Sequence, residues 1–155
     1  MSSDGHIVLF RRAPAELNRR HLERFARVLR DEVTDGAGFQ CLVTDDRELR
    51  RLNRAFLAKD YATDVLSFPC GEGAPARRPA SAFLGEIAIS AQRAHTQARE
   101  YGHTIDAEIC VLMLHGVLHL LGMDHESDRG QMARAEADWR LRLALPVGLT
   151  ERARA

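Results

Sequence analysis

Apolar residues along this chain recur with a period of two in some stretches and near 3.6 in others, and the switches mark its elements. Ile7–Phe10 is a short apolar run that fits a first strand. Pro14 opens a helix to about Asp31, with Leu17, Leu22, Phe25, Val28 and Leu29 on one side and most of its arginines on the other. The break Thr34-Asp35-Gly36-Ala37-Gly38 leads into a second strand, Phe39–Val43. Thr44 or Asp45 caps a second helix, whose first turn carries Asp46 and whose apolar positions are Leu49, Leu52, Phe56 and Leu57. Val65–Phe68, closed by Pro69, is a third strand, and Gly71–Ser81 reads as an exposed loop. Phe83–Ser90 is a fourth strand, followed by a helix from Ala91 to Tyr101. Ile105–Leu121 is apolar on most sides, which predicts a buried central helix. Asp128–Leu145 is a last amphipathic helix holding Trp139 and ended by Pro146, and Thr150–Ala155 reads as a frayed tail. The order predicts one α/β (α+β) domain over residues 1–155. It has a single mixed four-stranded sheet and about five helices, the central one buried against the sheet.

The central helix carries the chemistry. His115-Gly116-Val117-Leu118-His119-Leu120-Leu121-Gly122-Met123-Asp124-His125 places two histidines four apart, so their side chains leave one helical face a turn apart. Gly122 can adopt the left-handed conformation that ends the helix, and the turn brings His125 back toward the other two. Three imidazoles converging on one ion leave a fourth position open, as in a zincin-like catalytic site rather than a closed structural one. The spacing matches the longer zinc-protease pattern His-Glu-x-x-His-x-x-Gly-x-x-His, but Gly116 stands where those proteases carry their general-base glutamate. Zinc is the preferred metal; imidazoles also suit nickel, copper or iron.

Composition narrows the setting. A length of 155 residues is enough for a proper core without disulfides. Cys41, Cys70 and Cys110 are an odd number without paired spacing, which points to a reducing compartment. No signal-peptide order opens the chain and no apolar run reaches the ~18–20 residues of a membrane span, so a cytoplasmic protein is expected. Net charge is zero but unevenly placed. Arg11–Arg30 holds seven arginines against two glutamates, and Thr104–Asp138 holds seven acids against two arginines. A basic face of this kind suits an anionic polymer. Aromatics make up 6% of the chain and most fall at apolar positions, so exposed stacking platforms are not expected.

A second run, Lys59-Asp60-Tyr61-Ala62-Thr63-Asp64-Val65-Leu66-Ser67-Phe68-Pro69, lies between Leu52-Asn53 and Phe83-Leu84-Gly85-Glu86-Ile87-Ala88-Ile89-Ser90. Together with the three-histidine run it resembles the YbeY family of bacterial metal-dependent endoribonucleases, which act in ribosomal RNA maturation. The resemblance spans about Leu49 to Trp139. It implies that His115, His119 and His125 are zinc ligands, that Asp64 and Ser67 border the cleft, and that Gly85-Glu86 matches the family's Gly-Asp/Glu pair. Many members carry an arginine just after the aromatic residue that here is Phe56, whereas this chain has Leu57; Arg54 or Lys59 is the neighbouring cation that would serve instead.

The implied function is a single-strand-specific endoribonuclease working on ribosomal RNA precursors or ribosome-bound RNA, with a monomer as the expected unit and no membrane partner. Cleavage proceeds by metal-activated water or by metal-assisted attack of the substrate's 2′-hydroxyl. His115, Asp124 and Glu86 are the candidate catalytic residues. Asp124 acts either as base or as a partner orienting a histidine, and Glu86 acts as base or merely pairs with an arginine. Arg50, Arg54 and Lys59 are the candidate RNA contacts. Two other classes remain open: a zinc hydrolase of peptides or small molecules, and a non-catalytic ribosome-assembly factor in which zinc fixes the fold.

Overall fold

The structure, a computed structural model, describes residues 5–61, 63–70, 82–124, 126–146, 148–149 and 152. The expected loop Gly71–Ser81 and His125 lie outside the described residues. Four strands form one mixed sheet: β1 (Val8–Phe10), β2 (Gly38–Thr44), β3 (Val65–Pro69) and β4 (Phe83–Ser90), in the order β1-β2-β4-β3. The β1–β2 and β2–β4 pairs are parallel, and β3 runs antiparallel to β4 along the outer edge. The helices are α1 (Arg19–Val28), α2 (Asp46–Leu57), α3 (Ala91–Tyr101), α4 (Ile105–Leu120) and α5 (Gln131–Arg142).

Capping side chains set the helix ends. Asn18 accepts a hydrogen bond from the His21 backbone N–H at 3.0 Å, so α1 starts at Arg19 rather than Pro14, and a π-helical turn, Leu29–Val33, carries it on. Asp45 caps α2 through Glu48 N at 2.9 Å, and Thr104 caps α4 through Ala107 N at 3.0 Å. The last helix starts later than its hydrophobic pattern suggests, because Asp128 bonds the N–H groups of Gly130 and Met132, both at 2.9 Å, and holds a turn there.

Helix α4 is the centre of the core, packed on β3 and β4 with α1, α3 and α5 around it. Ile109, Leu112, Met113, Val117 and Leu118 are wholly inaccessible to solvent. Each contributes about 1.5–3 kcal/mol by burial. That burial offsets the cost of carrying polar groups in the same helix. The other face of the sheet is covered by α2 through a smaller cluster of Leu49, Leu66 and Ala88, with Leu52 and Phe68 against it.

Two expectations fail for identifiable reasons. Phe56 and Leu57, placed by periodicity on the apolar face of α2, are exposed, Phe56 by 67%. In the last turn of α2, Phe56 meets Phe68 of the edge strand edge to face at 5.6 Å and leaves most of its ring in solvent. Arg152, expected in a frayed tail, is docked: its guanidinium forms two hydrogen bonds to the buried Glu108, at 2.7 and 2.8 Å, and lies 4.2 Å from the centre of the Tyr101 ring.

Candidate active site

His115 and His119 emerge from α4 where it passes β3 and β4. Their Nε2 atoms are 3.2 Å apart and their rings meet edge to face, with centroids 4.8 Å apart. His115 is 5% exposed. Behind it, Glu136 on α5, fully buried, places Oε2 2.7 Å from His115 Nδ1. With the Nδ1 proton donated to that carboxylate, the lone pair of His115 is left on Nε2, facing His119. Gly122 takes the expected left-handed conformation, φ +93°, just after the helix. Two nitrogens bound to one tetrahedral zinc at ~2.0–2.1 Å stand roughly 3.3 Å apart, so the His115–His119 spacing suits a shared ion. Among the described residues, no group of three or more His, Cys, Asp or Glu side chains is placed to hold a metal ion.

The glycine at 116 has a packing cause. A Cβ there would lie 2.9, 3.1 and 3.2 Å from Ile87 Cγ2, Cδ1 and Cγ1. The helix therefore rests directly on β4 at this point, and the protease glutamate has no room. Ser67 adds a tether from β3, donating to the Gly116 carbonyl at 3.1 Å.

Strand alternation decides the place of Glu86. Gly85 and Ile87 face α4, since a Cβ on Gly85 would lie 3.0 Å from Leu120 Cδ2 and Ile87 abuts Gly116. Glu86 consequently points to the α2 face, into a concavity of about 380 Å³ shared with Arg11, Arg51 and Phe56. It does not join the histidines. Asp124 is exposed; its carboxylate accepts hydrogen bonds from Glu126 N at 3.1 Å and Ser127 Oγ at 3.2 Å. Asp64 ties three elements together, accepting from Val65 N at 2.8 Å and Gln97 Nε2 at 3.1 Å, while its carbonyl accepts from Ser90 N.

The arginines of α2 form a basic rim. Arg12, Arg47, Arg50, Arg51 and Arg54 line an open concavity of about 510 Å³ floored by Glu48. Arg50 donates to Asp60 at 2.8 Å, Arg54 stands 3.8 Å from the same oxygen, and Lys59 is exposed beside them. The Arg50 hydrogen bond holds the Asp60 carboxyl below its ordinary range. The Arg51 hydrogen bond does the same for Glu48, against the opposing effect of burial. Phe56, on α2, and Tyr61, next to Asp60, are 67% and 53% exposed, so the expectation that aromatics are confined to the core is corrected. The edge strand links both regions: Ser67 reaches α4, and its neighbour Phe68 meets Phe56.

Glu136 is the site residue that sequence reasoning overlooked. It is one of the seven acids of Thr104–Asp138, and like Glu108 it is fully buried. The signal was present, because Glu136 falls on the stripe with Met132, Ala133 and Trp139 that α5 turns inward.

A buried helix bearing paired imidazoles on one face of a mixed sheet, with an arginine-rich rim on the other, defines an α+β protein equipped to meet an anionic substrate. A solved relative shares the fold: a solution structure from Thermotoga maritima, TM1509, matches with a TM-score of 0.54 at 25% identity, over 87% of this chain and 93% of that one. The chain belongs to the endoribonuclease YbeY family, whose model matches residues 11–143. Relatives named endoribonuclease YbeY include one from Solibacter usitatus, 61% identical over 151 residues (97% of each chain), and one from Koribacter versatilis, 42% identical over 146 residues (94% of this chain, 91% of that one). Family membership disfavours both the peptide hydrolase and the non-catalytic assembly factor.

Proposed function

We propose that this chain is a metal-dependent endoribonuclease that cuts single-stranded RNA in ribosomal RNA maturation, with His115, His119 and His125 holding one divalent ion, zinc by preference. The observation that carries the reading is the pair of imidazole Nε2 atoms 3.2 Å apart on a buried helix. A bound divalent ion would polarise a phosphodiester oxygen and lower the pKa of a water toward ~7. The residues supply the rest. His115 keeps its lone pair on Nε2 through Glu136, and Asp124, adjacent to His125 in sequence, serves to orient the segment carrying that histidine. Glu86, across the sheet, is assigned to the arginine concavity and not to proton transfer.

Arg50, Arg54 and Lys59 hold the phosphate backbone, which makes binding salt-sensitive and largely sequence-independent. Arg54, one helical turn before Leu57, takes the place of the arginine many family members carry after the aromatic residue. Phe56 and Tyr61 offer faces on which unpaired bases stack, a contact closed to bases inside a duplex. RNA passing over the edge strand β3 meets this rim first and the histidines next. The working unit is a monomer in the cytoplasm, where the free thiols of Cys41, Cys70 and Cys110 stay reduced, and the partner is ribosomal RNA or its precursor. No described helix is long and apolar enough to cross a membrane.

The test compares cleavage of single-stranded and duplex oligoribonucleotides, with a peptide substrate alongside, before chelation, after it, and after zinc is restored. Cutting confined to single-stranded RNA, lost with the chelator and regained with zinc, is the expected result. Cleavage that survives chelation, or peptide hydrolysis, would contradict the proposal.

A further inference from the structure

Gly148 and Arg152 lie behind the histidine site. Arg152 N donates to the Gly148 carbonyl at 3.1 Å, while the Arg152 side chain grips Glu108 in the first turn of α4. Glu108 is fully buried and also lies 2.5 Å from His103 Nε2, so Arg152 is fastened to the same helix that bears the histidines. Gly148 is buried against Glu136. A Cβ on Gly148 would overlap Glu136 Oε1 and lie 2.7 Å from its Cδ and 2.9 Å from its Cγ. The path runs from α4 through Arg152 and Gly148 to Glu136, and returns to α4 at His115.

We infer that Glu136 is a positioning residue for His115 and that Gly148, held by Arg152, braces it, fixing the imidazole tautomer that presents Nε2 to a metal. The inference rests on the metal reading above and extends it to residues outside the three-histidine run. A buried carboxylate has more than one rotamer open to it, and the close approach of the Gly148 backbone removes the space into which its head could retreat. Partners of this kind raise ligand basicity and hold ring orientation, and their loss typically lowers metal affinity 10–100-fold.

Zinc affinity, measured by competition with a chromophoric chelator, is compared among the full-length wild type, Glu136→Gln and Gly148→Ala. Circular dichroism of each metal-free chain checks the fold, and long-range proton–nitrogen spectra of metal-free protein report the His115 tautomer. The expected result is a 10–100-fold weaker zinc affinity in both folded variants, with Glu136→Gln reducing the Nδ1–H tautomer of His115 that dominates in wild type. Wild-type affinity and an unchanged tautomer in folded Glu136→Gln would overturn the inference. Should Gly148→Ala fail to fold, Glu136→Gln decides alone. If wild type itself takes no zinc, the metal reading fails, and the tautomer of the metal-free chain still tests the brace.

Discussion

Substituting Gly116 by alanine tests whether α4 lies directly on β4. The added Cβ would meet three Ile87 carbons, at 2.9, 3.1 and 3.2 Å. Ile87 is 1% exposed, and its Cγ1 and Cγ2 both hang from the branched Cβ, so rotation about χ1 only exchanges one contact for another. Relief requires the helix to lift from the sheet. Overpacking of this kind costs about 1–3 kcal/mol, and the stiff partner argues for about 2–3. Alanine returns about 1 kcal/mol of helix propensity, leaving a net loss of about 1–2 kcal/mol. In a chain of this size that lowers Tm by roughly 2–8 °C. The assay is denaturant unfolding of the metal-free protein, run as a double-mutant cycle with Ile87→Ala. Ile87→Ala alone should cost about 2–5 kcal/mol. In its background Gly116→Ala should become neutral or stabilising, a coupling of about 1–3 kcal/mol. A Gly116→Ala protein at least as stable as wild type, with no coupling to Ile87, would refute the packing account of the missing glutamate.

Other outcomes follow from the same contacts. Arg152→Met leaves Glu108 buried with only His103 to share its charge, and should destabilise the chain by about 3 kcal/mol in denaturant unfolding. Phe56→Ala should weaken binding of a single-stranded oligoribonucleotide by about 1–3 kcal/mol in a titration, while the lost ring contact with Phe68 lowers stability by only about 0.5–1.5 kcal/mol. Glu48 has a folded pKa below its ordinary value of 4.5, first because of the Arg51 hydrogen bond. Its contribution is therefore present above about pH 4.5 and lost as pH falls through the lowered value. Glu48→Gln should flatten the acid limb of a stability–pH profile in that window, and an unchanged limb would contradict the assignment.

What could be read from the residues follows their physics. All four strands were legible because branched and aromatic runs were closed by turn residues, and α4 because its apolar positions wrap the whole helix. Helix starts were less legible, since Asn18 and Asp128 satisfy backbone donors locally and override hydrophobic period. The paired histidines were visible because spacing along one helix fixes their neighbourhood. Glu136 and the docking of Arg152 were not, because both depend on contacts between separate elements. The face of Glu86 could have been argued from strand alternation, but only once the register beside α4 was fixed. Phe56 was misjudged because periodicity records which side of α2 is apolar and not where the sheet beneath it ends.

The central claim is that His115, His119 and His125 share one catalytic ion. Metal content of purified wild type and of His115→Ala, His119→Ala and His125→Ala, measured beside cleavage of a single-stranded RNA, tests it most directly. The account predicts one zinc per wild-type chain, and in each folded variant the loss of zinc and of cleavage together. A variant that loses its metal and still cuts RNA, or a wild type that cuts RNA with no metal bound, would contradict it.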